Sequence, residues 1–203
     1  MNNRSHIRIK WKRILTIFSI LFIFSQPNLQ IFSAEVEELK PSDGHAGDYF
    51  GNSCSVSDNY AVIGTYPEIS SGKAYIFKRS ASNTWDEEAI LSAPAPVHFE
   101  EFGYSVATEG DFVIVGSPGF DDGDGAVYSY KKEGAVWVLK QTLTQPGGAD
   151  VQNFGELVTI NGAYLLVTTP YADIEGNGKA FLYKRRGYLE SSQNTFCPSC
   201  GSY

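Results

Sequence analysis

Apolar residues along this chain fall into short runs of two textures, and the textures recur in a fixed order. Ser53 to Ser57 (SCSVS), Ser105 to Thr108 (SVAT) and Leu157 to Ile160 (LVTI) alternate along the chain, as a strand with one face on a core does. Shortly after each comes an unbroken apolar run: Ala61-Val62-Ile63, Val113-Ile114-Val115 or Leu165-Leu166-Val167. Such a run predicts a strand covered on both faces. Between the two stands a dipeptide suited to a tight hairpin with positive φ: Asp58-Asn59, Glu109-Gly110 or Asn161-Gly162. A third, alternating run that ends in basic residues starts at Gly72 (GKAYIFKR), Gly125 (GAVYSYKK) and Gly178 (GKAFLYKR). A fourth contains Trp85 or Trp137 and closes at Leu91 or Leu143. Each unit is therefore read as four antiparallel strands.

The units keep step with one another. Phe50-Gly51, Phe102-Gly103 and Phe154-Gly155 are separated by 52 residues, and so are Leu39, Leu91 and Leu143. Tyr60, Phe112 and Tyr164 form another series, Gly64, Gly116 and Thr168 a further one, and Trp85 and Trp137 a pair. A fixed period with apolar strands covered on both faces predicts sheets that stack on their own copies. The fold class is all-β, a partial β-propeller of three four-stranded antiparallel blades within residues 35–190, at about 39–90, 91–142 and 143–190. The third unit has Leu189 at the tryptophan position and no closing leucine, whereas the first is preceded by Glu35 to Lys40 (EVEELK), which matches a fourth strand. Closed propellers have about four to eight blades. The unpaired ends leave three outcomes open: further blades from a longer chain, a second copy completing the ring, or an open stack.

Composition agrees with this reading. The 203 residues include 20 Gly, 13 Phe and 12 Tyr but one Met, which suits pleated sheets and tight turns. Basic residues up to Arg13 precede the apolar run Ile14 to Phe24 and the polar SQPNLQ, the pattern of a signal peptide over residues 1–33. The run has eleven residues, short of the roughly 20 a membrane-spanning helix needs. The net charge is −7, and five of the 16 basic residues lie in that leader. So acidic a remainder argues against nucleic acid and anionic membranes as partners.

The order Phe-Gly, hairpin, then VIGTYP, VIVGSPG or LLVTTPY, then Gly-x-Ala-Tyr/Phe resembles the FG-GAP repeat of integrin α-like propellers. Gly116-Ser117-Pro118 is nearest to the Gly-Ala-Pro of that repeat, and the similarity runs from about Leu39 to Tyr188. The resemblance implies an extracellular β-propeller. It also implies calcium in an Asp-rich loop between Phe-Gly and Gly-Ala-Pro. Two-residue turns join those strands here, so the family's ligands do not carry over.

Other candidate chemistry is sparse. FDDGDG from Phe120 and DIEGNG from Asp173 place Asp122, Asp124, Asp173, Glu175 and Asn177 in acidic loops. These are candidate calcium ligands, with ordinary polar turns as the competing reading. Cys54 takes the place of Val106 and Val158 and is expected to be a buried, inert thiol. Cys197 and Cys200 form one CxxC in the tail, 191–203, and in an oxidising compartment suit a disulfide. His45 and His98 occupy different repeat positions and no hydrolase motif is present. Glu100-Glu101 and Asp86-Glu87-Glu88 are read as solvated faces. The expected function is a non-catalytic extracellular binding or adhesion module. Its blade-end loops, Tyr66 to Ser71, Phe120 to Gly125 and Tyr171 to Gly178, would face a protein or glycan. The alternatives are a structural repeat segment of a larger secreted or surface protein and an accessory propeller of a secreted hydrolase.

Overall fold

Each stretch of alternating and unbroken apolar residues becomes one antiparallel sheet. The computed structural model describes residues 36–67, 71–96, 98–146, 152–170 and 177–185, and the backbone of 196–197. Blade 1 comprises β1 (Ser53–Val56), β2 (Tyr60–Gly64), β3 (Ala74–Arg79) and β4 (Trp85–Leu91). Blade 2 comprises β5 (Ser105–Glu109), β6 (Phe112–Ser117), β7 (Ala126–Glu133) and β8 (Val136–Leu143). Blade 3 comprises β9 (Leu157–Asn161), β10 (Tyr164–Thr169), β11 (Lys179–Arg185) and the two-residue β12 (Phe196–Cys197). Within each sheet the strands neighbour one another in chain order. The expected leader and most of the tail, with Cys200, lie outside the described residues.

Register sorts the side chains onto two faces, because directly opposed residues of an antiparallel pair share one. Val62 opposes Ile76, and Ile114 opposes Ser129. One seam packs Val62, Ala74 and Ile76 of blade 1 on Val113, Val115 and Tyr128 of blade 2. The next packs Ala107, Ile114 and Val127 of blade 2 on Val158, Leu165 and Val167 of blade 3. Each fully buried aliphatic or aromatic side chain contributes about 1.5–3 kcal/mol, so the seams are the main cores.

Burial on both faces holds in full only where a blade lies on each side. Every residue of β6 is buried, but β10 alternates, with Leu165 and Val167 inside and Tyr164 46% exposed. The third strands depart from the expected alternation in the other direction, for β3 and β7 open with four and five successive buried residues. Ile63, Val115 and Val167 oppose Tyr75, Tyr128 and Phe181, so the third strands advance by one residue more per unit than the Phe-Gly pairs.

The Phe-Gly pairs form the joints between blades. Tyr49, Glu101 and Asn153 precede them with positive φ, and Gly51, Gly103 and Gly155 follow at 96°, 94° and 94°, a region that favours glycine. Each of these glycines donates its N–H to the end of its own second strand, as Gly103 does to Gly116 O at 3.1 Å. Phe102 is fully buried, 5.3 Å from the ring of Tyr128, and Phe154 repeats the contact on Phe181 at 5.6 Å. The carbonyl of Gly103 accepts from Ser53 Oγ of the preceding blade, and that of Gly155 from Ser105 Oγ, both at 2.8 Å. A Cβ built on Gly64 or Gly116 would overlap these same carbonyl oxygens, so the approach requires glycine there.

Several expectations need correction. Val36 to Lys40 form no strand; the Glu37 side chain accepts the Trp85 N–H, so contact runs through a side chain rather than a backbone ladder. Leu39 nonetheless packs with Phe50 on Tyr75 and Phe77. Blade 3 has the fourth strand expected of each unit, but only as the two-residue β12 on Lys184 and Arg185. Positive φ occurs at Gly110 and Gly162 but at neither Asp58 nor Asn59, so the first hairpin turns without it. Cys54 is exposed, because the blade that buries Val106 has no counterpart among the described residues before blade 1. Glu100 is completely buried rather than solvated: its Oε1 accepts from Tyr128 OH at 2.8 Å, and its carbonyl accepts from Ser117 Oγ at 2.7 Å.

Candidate binding groove at the inner strands

The first strands, β1, β5 and β9, are edge strands of their sheets and lie side by side. Side chains stitch these edges together: Thr108 N–H donates to Ser55 Oγ at 3.1 Å, and Asn52 Nδ2 donates to Tyr104 O at 3.1 Å. A groove of about 570 Å³ runs along the three strands, from Asn52, Tyr104 and Glu156 at one end to Ser55, Ala107 and Thr159. Beyond it, a second hollow of about 380 Å³ lies among the hairpin turns at Asp58, Gly110 and Asn161. Hydroxyl, amide and carboxylate groups of Asn52, Ser55, Ser105, Glu156 and Thr159 alternate in the groove's lining with apolar Val106, Ala107, Leu157 and Val158, which suits a ligand that combines hydrogen-bonding groups with apolar surface.

The groove mouth concentrates the chemistry. Asn52, Tyr104 and Glu156 each follow a Phe-Gly glycine, so the repeat delivers three different side chains to one rim. Tyr66, from the loop after β2, meets Tyr104 edge to face, with ring centroids 5.2 Å apart. Glu101 lies beside them. Burial pushes its carboxyl above the usual carboxylate range, the hydrogen bond from Tyr66 pulls it back, and the charge of Glu156 raises it again. Burial also raises Glu156. A cationic group placed beside two carboxyls whose ionisation burial disfavours would favour their charged form, and the two tyrosine rings offer faces to a cation or a polyhydroxylated ring.

The residues singled out from sequence are dispersed relative to this mouth. Asp122 is exposed and Asp124 half-buried on the helical turn Phe120–Gly123 and its end, where Asp121 and Asp122 have positive φ. Asn177 is exposed, and Asp173 and Glu175 lie outside the described residues. Among the described residues, no three His, Cys, Asp or Glu side chains gather as a metal site would need. The side chain of Cys197 is not among the described ones, and neither is Cys200. Of the expected blade-end loops, the first contributes Tyr66 to the mouth; residues 68–70 and 171–176 are outside the description. Sequence reading missed Tyr104, Glu101 and Glu156. Their signal was available as the positions flanking Phe-Gly, which differ between units inside a frame that otherwise repeats.

The FG-GAP repeat model matches residues 34–77 and 85–130. Each match runs from a fourth-strand position or its equivalent to the third strand of the following sheet, so it spans the linker that carries Phe-Gly. No curated protein matches the chain.

Proposed function

The chain is an FG-GAP repeat protein, and on that premise we propose that it is a non-catalytic binding module that works outside the cell. Its ligand is a glycan or a protein carrying cationic or hydroxyl-rich groups, taken up at the mouth formed by Tyr66, Tyr104, Glu101 and Glu156. The observation that carries this reading is the paired tyrosine rings 5.2 Å apart beside two carboxylates that burial has made reluctant to ionise. Rigid sheets hold these groups on short turns, the usual way a scaffold presents a binding surface. FG-GAP repeats are typical of extracellular or surface proteins, which agrees with the leader-like N-terminus. No described helix is long and apolar enough to cross a membrane.

The test is binding of the chain to an array of neutral and amino-sugar glycans and to intact cells, compared with Tyr104→Ala and Glu156→Gln. Saturable binding that falls at least tenfold in both variants supports the reading. Binding that ignores both substitutions, or none in the parent chain, rejects it. A second reading, a structural repeat segment of a larger surface protein, is favoured by the outer face of blade 3, where Leu157 and Leu182 are 58% and 60% exposed.

A further inference from the structure

The joint between blades is a lock and key with identifiable parts. The key is the carbonyl of the Phe-Gly glycine. The lock, on the preceding blade, is a glycine at the end of the second strand opposite a serine on the first. Gly64 opposes Ser53 and receives Gly103; Gly116 opposes Ser105 and receives Gly155. In both, the serine hydroxyl donates to the incoming carbonyl at 2.8 Å, and the glycine leaves room for it.

Blade 3 carries the same register, for Thr168 opposes Leu157 as Gly116 opposes Ser105. Both parts of the lock are changed there. Thr168 puts a branched Cβ where the incoming carbonyl oxygen would sit, and Leu157 offers no donor to it. A carbonyl buried against leucine loses its hydrogen bond to water without replacement, and the backbone cannot approach past a threonine as it does past glycine. The face is otherwise built like the other two, with Tyr164, Leu166 and Leu182 in the places of Phe112, Ile114 and Ser129.

We propose that Leu157 and Thr168 close the third blade to any Phe-Gly turn, so that neither a further FG-GAP blade nor a second copy of this chain stacks on it through the joint used inside the molecule. Head-to-tail repetition of one interface otherwise produces rings or open filaments, and two side chains suffice to block that step. Stacking is thereby given a direction and a stop, independent of how apolar the face remains.

The lock can be tested where it is occupied. In the full chain, Ser105→Leu with Gly116→Thr transplants the third blade's pair into the second. Hydrogen exchange followed strand by strand should show amides of β9 to β11 losing protection at least a hundredfold while β1 to β4 keep theirs. Gly116→Ala alone, a milder change, should give about a tenfold loss in the same strands if the double variant fails to fold. Unchanged exchange in β9 to β11 would mean that the turn seats on leucine and threonine as well as on serine and glycine, and would overturn the proposal. An equal loss in β1 to β4 would do the same, since the effect would then not belong to the joint.

Discussion

Trp137 donates its indole N–H to Glu88 Oε2, 3.0 Å away, across the seam between blade 1 and blade 2. Lys132 lies 2.9 Å from the same oxygen. Burial pushes the Glu88 carboxyl up, but the hydrogen bonds from Lys132 and Trp137 and the charges of Lys132 and Lys78 outweigh it, and the carboxyl titrates below its usual range. Glu88 therefore contributes stability above the ordinary glutamate range that is lost as pH falls through its depressed value. Glu88→Gln should cost about 1–2 kcal/mol at neutral pH and flatten the loss below pH ~4.5, both read from denaturant melts over a pH series.

Glycines with positive φ are not equivalent. Gly103 sits at 94° with the carbonyl of Lys73 in the path of any Cβ, whereas Gly110 sits at 55° with nothing within 4 Å. Gly110→Ala meets only the left-handed conformation, about 1–2 kcal/mol. Gly103→Ala adds a clash with backbone of the preceding blade and should cost at least ~3 kcal/mol, measured by urea unfolding of the two variants side by side.

Phe102 and Leu182 separate a seam from an open face. Truncating the fully buried Phe102 to alanine should cost about 3–5 kcal/mol. Leu182→Ala, on a side chain 60% exposed, should stay within about 0.5 kcal/mol of the parent. Equal effects would contradict the stacking order.

The thiol of Cys54 is free and exposed. It should be alkylated in the native chain without denaturant, as mass mapping of the peptide containing Cys54 would show. Protection until unfolding would place a covering layer over β1.

Tyr66→Phe removes the hydrogen bond that lowers Glu101 while leaving burial and Glu156 in place. The Glu101 carboxyl should then titrate higher still, as followed by carbon-detected NMR. A raised carboxylate destabilises the fold when ionised. The variant should therefore gain stability, relative to the parent, as pH falls through the Glu101 range, opposite in sign to the Glu88 effect.

What was readable in the chain was whatever depends on one sheet. Alternation at Ser53 to Ser57, the unbroken apolar run at Val113 to Val115 and the step of 52 residues fix strands and their order. What was not readable depends on the neighbouring sheet. Cys54 and Val106 occupy one repeat position, yet only Val106 is covered. The groove mouth was hidden for the same reason, since Tyr66, Tyr104 and Glu156 meet only when three units are aligned. Glu100 is a different case, since it looks solvated beside Glu101 until the folding of its own unit brings Tyr128 over it.

Among the described residues, blade 2 takes part in both seams, whereas each of the other two blades takes part in one. In a linear array held by nearest-neighbour coupling, the terminal members open at lower cost than the central one. Partial unfolding should thus start at the two ends and reach β5 to β8 last, leaving the middle sheet as the thermodynamic keystone of the row.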